Sequence, residues 1–415
     1  MANTFTYVDW LSQESLRLLT NKLQVAQFFN TDYNKEFTQT FAVGDTVRVN
    51  YPQQFTPSTT NDLAYDPQAI NRRTTTVTID QVSKVHFEWN DLEAALKLER
   101  GREKIAKEYL EPAMATIAQD IDSRAALWAK NNANNIVGIL GTDPTTFQVM
   151  TGAARQRLIE LACPPSNDKG MIISPSINTS LVGAAVALFN PASDISKQYK
   201  EGSIGRQGGF DWYESMSLYD HTAGTWAGAV TVTTTATSGA STLALTCTTG
   251  DTFKKGDVIS IANVYAVNPM TRRVTTRAQT KQFVVLADVT GASSAATISV
   301  SPTIYGPGSQ YQNVDRLPTA SDVVTLFPGT TSPSGKVGKN SLAIHRNAFA
   351  LVSVKLEMPK AVEMSSQTRD PDTGITVRFV RAWDPQESKM TNRLECIYGF
   401  GNLYSDNCAV RVLGA

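Results

Sequence analysis

The sequence predicts an α+β protein carrying an inserted small all-β barrel, and three observations predict it. Residues 103–131 hold an apolar stripe at helical spacing. Residues 46–50 and 75–89 alternate apolar and polar side chains with a period of two. From about Thr222 the composition then shifts abruptly. Residues 222–310 contain six basic and three acidic side chains, against fourteen charges between 91 and 124, and Thr, Ser, Ala and Gly dominate instead.

In the stripe, Ile105, Tyr109, Ala113, Ile117, Ile121, Ala125 and Trp128 recur every three or four residues. A helix of roughly 28 residues would be about 42 Å long, enough to act as a beam through a domain. Lys107, Glu108, Asp120, Asp122 and Arg124 fall on the other face and are expected to meet water or partner subunits. Pro112 predicts either a kink or a helix restart with the proline in its first turn.

A shorter helix is expected from about Asp9 to Phe28, with Trp10, Leu11, Leu18, Leu19, Val25 and Phe28 near one side. A terminal helix this apolar needs something to lie against, in its own chain or a neighbouring copy. Val77, Ile79, Val85, Phe87 and Trp89 share one strand face, while Val82 is out of step and predicts a bulge between Gln81 and Lys84. The Pro-, Thr-, Asn- and Asp-rich stretch between 51 and 73 reads as the tip of a two-stranded finger. Two strands alone are barely stable in water, so such a finger normally rests on a partner.

Further along, 153–162 and 176–188 read as helices and 171–174 as a buried strand. GSIGRQGGFDWYES (202–215) lacks the lysine of a phosphate loop and reads as a loop entering a strand at Phe210. Strand-like runs at 230–235, 242–246, 258–261, 283–287 and 297–300 argue for a small barrel or sandwich. Residues 264–281 read as a basic projecting loop, and 306–340 as a Gly/Pro/Ser connector. SLAIHRNAFA (341–350) reads as a strand and then a helix start. Residues 376–383, 393–400 and 409–413 read as final strands closing on 46–50 and 75–89.

With 415 residues the chain has room for two or three domains. Lys plus Arg and Asp plus Glu balance at 38 each, which gives no sign of a nucleic-acid groove or an anionic-membrane surface. No apolar run approaches the roughly 18 residues of a membrane span, and MANTFTYVDW lacks the pattern of a secretory signal. The expectation is a soluble protein that stays where it is made, without membrane partners. Cys163, Cys247, Cys396 and Cys408 show no metal-ligand spacing and read as reduced, mostly buried thiols, with a Cys396–Cys408 pair open only if their strands are neighbours. His86, His221 and His345 have no local Ser, Cys or acid partner, although a triad can be assembled in space. Asp370 and Asp372 in RDPDTG lack the twelfth-position Glu of a calcium loop and read as a turn. No catalytic residue, cofactor or metal is expected.

Four stretches carry a resemblance. They are GDTVRVNYPQQFT (44–56), GSIGRQGGFDWYES, the pair FKKGDVISIANVYAVNP and QFVVLADVTGASSAATISVSPTIY, and NSLAIHRNAFAL (340–351). In this order, over nearly the whole chain, they resemble tailed-phage major capsid proteins of the Hong Kong 97-type fold, in the podovirus subgroup with an inserted telokin-like I-domain. The resemblance implies an N-arm at 1–39, an E-loop with peripheral strands at 40–89, and a spine helix within 90–135. It implies an axial domain at 136–221 and, with the connector, 311–375, an inserted barrel at 222–310, and peripheral strands at 376–415. It further implies self-assembly into hexamers and pentamers of an icosahedral head, formed in the host cytoplasm with scaffolding and portal proteins, enclosing double-stranded DNA without sequence-specific contacts. Candidate interaction residues are Trp10 and Leu18 on the arm, Arg72 and Arg73 on the finger, and Asp257, Arg272 and Arg273 on the barrel. No residues match the Lys–Asn crosslink of some members, so non-covalent assembly is expected. The competing readings are a tail or decoration protein with a similar barrel, and a hydrolase with a β-sandwich module. The hydrolase would need a cleft with converging titratable groups.

Overall fold

The computed structural model describes residues 17, 19, 23–32, 46–51, 54–55, 68–70, 73–90, 109–138, 147–185, 205–275, 279–327, 335–359, 362, 364–370, 374–386 and 389–414. Trp10, Leu18, Arg72, Ile105 and Asp372 lie outside these. The chain divides into two units, one built from 1–49, 75–126 and 349–403, the other from 50–74, 127–348 and 404–415.

The first unit centres on a five-stranded antiparallel sheet. Its longest strand, Lys389–Asn402, pairs with Phe349–Ser353, Thr376–Asp384 and Gln81–Asn90, and Met364–Arg369 adds to the edge of Thr376–Asp384. Pairing with Gln81–Asn90 is unbroken from Tyr398↔Gln81 to Lys389↔Asn90, so the expected bulge at 81–84 is absent and the chain breaks instead at Ile79–Asp80. The polar Ser83 holds the buried phase because its hydroxyl bonds Asp120 and lies 2.9 Å from the Tyr398 hydroxyl. Val82 simply points the other way. A Cβ at Gly399 would lie 2.1 Å from the Thr78 carbonyl oxygen, so the Thr74–Thr78 strand crosses at a distance only glycine permits.

The long helix runs Glu111–Asn132 with Pro112 in its first turn, the restart geometry, after a π-type turn at Tyr109 and Leu110. Ala113, Met114, Ile117, Ala118, Ile121, Ala125 and Ala126 form its buried face. Asp122 corrects the expectation of a charged outer face: it is 3% exposed and accepts the Gln24 and Ala26 amides at 2.7 and 3.0 Å. The N-terminal helix, expected to reach Phe28, does not extend that far. The chain is no longer helical at Leu23, Ala26–Phe28 is a single 3-10 turn, and Asn30 then bridges to Ala350. Phe29 packs on Phe349 and Phe400 with ring centroids 5.3 and 5.7 Å away.

The second unit holds a mixed sheet in the order Asn135–Gly138, Ala409–Gly414, Val337–His345, Lys169–Ile173, Phe210–Glu214, Arg206–Gln207. Helices Phe147–Glu160 and Pro175–Ala185 fall where helices are expected. Gly208 and Gly209, at φ 65° and 87°, make the tight turn from Arg206–Gln207 into the strand at Phe210. Two expectations fail here. The last strand does not return to the sheet containing 81–90 but lies between Val337–His345 and Asn135–Gly138. The helix start near 346–350 is instead a turn and the strand Phe349–Ser353, because a run of buried apolar residues from Ala348 to Val352 is satisfied by a ladder to Asn402–Tyr398.

A closed six-stranded barrel completes this unit: Val230–Val232, Ala240–Thr246, Val258–Tyr265, Thr280–Val285, Ala295–Ile304 and Val323–Leu326. Leu243, Leu245, Ile259, Ile261, Phe283, Val285, Ile298 and Val300 fill it at alternate positions. The sixth strand comes from the expected connector, so the barrel extends to Leu326, past position 310. Polar links tie it to the mixed sheet and its helix. Gln282 pairs with the Ile136 main chain, Arg157 bonds Thr280 O at 3.1 Å, and Arg411 bonds Gly256 O at 2.7 Å.

Candidate functional site

The described interaction candidates range from buried to exposed. Arg73 is half-buried, with its guanidinium carbon 4.8 Å from the Tyr51 ring centroid and 5.8 Å from those of Tyr305 and Tyr311. It borders a pocket of about 260 Å³ that Lys281, Tyr404 and Asp406 also line. Burial pulls the Lys281 ammonium down to about 8. Arg272 sits at φ 55° and donates to the Ser309 and Gln310 carbonyls at 3.2 and 2.9 Å, so it fastens one loop of the barrel to another. Arg273 is exposed. The stretch 264–281 is less of a projection than expected, since Ala266 and Val267 are buried and bridged to Val314 and Val274.

Asp257 departs from the expectation of a surface contact. It is 1% exposed, and its carboxylate meets His221 Nε2 at 2.8 Å, accepts the Lys254 amide at 2.8 Å and accepts the Gly224 amide at 3.1 Å. The KKGD turn ends on an aspartate because that side chain closes the turn from inside. Burial, more than the Asp257 contact opposes it, holds His221 below its ordinary value. Fully buried Arg411 lies nearby and is pulled down to about 10 by burial. This cluster anchors the barrel.

A second cluster brings together residues that have no local relation in the sequence. Cys163, Cys408 and His345 are buried, and their donor atoms lie within 4.8 Å of one another. His345 Nδ1 accepts the Asn347 amide at 3.1 Å, so Nε2 carries the ring proton and meets Ser166 Oγ at 2.6 Å. An imidazole in that tautomer donates to the hydroxyl and cannot take its proton, which removes the Ser–His arrangement a hydrolase would use. A hydrogen bond from Cys408 holds the Cys163 thiol below its ordinary value, and the same bond with burial pushes Cys408 up. His86 is exposed on its strand.

The sequence reading missed the exposed apolar side chains of this unit. Phe55 and Ile70 on the finger segments are 62% and 73% exposed, and Met216 and Met270 are 80% and 78% exposed. Single apolar residues inside Pro-, Thr- and Asn-rich stretches were the available signal. Among the described residues no helix is long and apolar enough to cross a membrane.

The family model for P22 coat protein, gene protein 5, matches residues 12–412. No curated protein matches the chain. Among solved structures, the capsid of Ralstonia phage GP4 is similar at 9% identity, covering 94% of this chain and 88% of that one, with a TM-score of 0.46. A Mycobacterium phage Che8 structure is similar at 13% identity, covering 94% and 90%, with a TM-score of 0.44. The mature capsid of bacteriophage PhiM1 is similar at 12% identity, covering 92% and 87%, with a TM-score of 0.40.

Proposed function

This chain belongs to the P22 coat protein family, and from that premise we propose that it builds its phage head as a Hong Kong 97-type subunit. The match over 12–412 is the observation that carries the reading: the chain is a major capsid protein, a structural component of the virion head that associates with copies of itself. The finer proposal is a closed icosahedral shell of hexamers and pentamers around double-stranded DNA, assembled in the host cytoplasm with scaffolding and portal proteins. The barrel 230–326 would be the inserted I-domain, and the segments around Phe55 and Ile70 the finger that lies on a neighbour.

Physical chemistry supports this. Identical chains that meet through unlike surfaces propagate until the geometry closes. A finger with Phe55 and Ile70 in water gains stability only when another surface covers it, which couples its order to assembly. The balanced charge of the chain, 38 against 38, suits a container that holds DNA without reading it.

Negative-stain electron microscopy of the recombinant chain, produced with and without its neighbouring reading frames, tests the proposal. Closed shells of uniform size are expected when the neighbouring frames are present. Rings, tubes or monomers in both preparations would overturn it.

A further inference from the structure

We propose that Cys163, Cys408 and His345 form a binding site for a thiophilic d10 cation, with zinc(II) the best fit. The fold brings the three together at one end of the mixed sheet. His345 ends the Val337–His345 strand, whose ladder with Ala409–Gly414 stops at Ile344↔Ala409, so Cys408 stands opposite His345 at the next position. Cys163 arrives from the other side. The helix Phe147–Glu160 is closed by a turn with Ala162 at φ 61° and by the Cys163 amide donating to Leu158 O at 2.9 Å. The three side chains are 7%, 2% and 2% exposed.

The donor set selects the ion. Two sulfurs and an imidazole nitrogen offer no oxygen to calcium or magnesium, while they match zinc, which bonds sulfur at about 2.3 Å and nitrogen at about 2.0–2.1 Å. In a tetrahedral site the donor atoms would stand roughly 3.6–3.8 Å apart, so atoms now within 4.8 Å need to close by about 1 Å. Charge also balances. Binding releases both thiol protons to solvent, and two thiolates with a neutral imidazole cancel the two positive charges, which a buried site requires. With Nε2–H donating to Ser166 Oγ, the lone-pair nitrogen is Nδ1. A metal held at Nδ1 would replace the Asn347 amide, and the Ser166 bond would then fix the ring, as a second partner does for most metal-bound histidines. Water would take the fourth position. Lys169, paired across the ladder from His345, is the nearby cation whose repulsion this site must outweigh.

The test uses the full-length chain, purified under reducing conditions and freed of metal with a chelator. Cobalt(II) added as a probe should give a thiolate-to-cobalt charge-transfer band, and zinc should displace it. Zinc should also protect Cys163 and Cys408 from alkylation in the unmutated chain, with Cys247 and Cys396 as internal references. The band should vanish in Cys163→Ser and in His345→Ala and survive in Cys247→Ser. Three outcomes would overturn the proposal. One is no band together with alkylation indifferent to zinc. A second is a band that persists in both site variants. The third is a Cys163–Cys408 disulfide in chain quenched with alkylating reagent at lysis.

Discussion

Gln282 of the barrel pairs with the main chain of Ile136 at both ends of its side-chain amide. Its Oε1 accepts the Ile136 amide at 2.8 Å and its Nε2 donates to the Ile136 carbonyl at 3.1 Å, with both residues buried. The side chain thereby imitates one rung of a β-ladder. Gln282→Ala leaves a buried N–H and C=O without partners and should cost about 2–4 kcal/mol. Gln282→Glu sets an acceptor against the Ile136 carbonyl and should cost at least as much. Urea midpoints of the unassembled chains measure both, and a loss below about 0.5 kcal/mol for either would show the pairing is idle.

Asp122 predicts an unusual pH slope. Burial raises its carboxyl to about 6 from an ordinary 3.8, against the lowering effect of the amides it accepts. Between those values the folded chain binds a proton the unfolded chain lacks, so this group's contribution to stability falls as pH rises through the window, by at most about 3 kcal/mol. His221 acts oppositely, since its value is held below 6.5 and its contribution is lost as pH falls. Comparing the chain with Asp122→Asn isolates the carboxylate. The variant should lack the falling component across that window in denaturation midpoints, and identical slopes would reject the assignment.

Glu395, 2% exposed, pairs with both Arg378 and Arg393, the second at 2.6 Å. Glu395→Ala strands the largely buried Arg378 without a counter-charge and should cost about 3–5 kcal/mol. Arg378→Met with Glu395→Met should recover much of that loss. Additive losses in this double-mutant cycle would mean the pair is not coupled.

Arg272 and Arg273 should separate folding from assembly. Arg272→Glu puts a carboxylate against the Ser309 and Gln310 carbonyls and should raise hydrogen exchange in both loops. Arg273→Glu alters an exposed position and should leave stability within about 0.5 kcal/mol. Its effect should appear in electron micrographs as particles of aberrant size. Normal particles would reject a role for this loop between subunits.

What the sequence disclosed followed the reach of each physical signal. Ala113, Ile117, Ile121 and Ala125 reveal the helix because helical period and burial act within a few turns. The barrel strands show through alternation and the sharp drop in charge. Asp122 misleads because its partners lie 96 and 98 residues earlier, and nothing local marks an acid as buried. Val323–Leu326 is too short to carry a period, and its pairing with Val230–Val232 on one side and Val258–Tyr265 on the other defines it as a strand. The Cys163–His345–Cys408 cluster is a product of strand register, which spacing along the chain does not encode. Among the interaction candidates, charge drew attention to Asp257 and Arg272, whose polar groups the fold uses internally.

Val230 and Thr231, in the barrel's first strand, lie beside Val324 and Val323 in its last. Entry and exit are therefore neighbours at strand spacing, about 4.8 Å, and the surrounding chain needs only a short splice to run without the insert. Topologically the barrel is a cassette. Recombination, or an engineer, could exchange it for any module with adjacent termini, provided that the positions now met by Gln282 and Gly256 receive new polar company. The region most open to such grafting is then the barrel itself, whose two chain ends lie side by side.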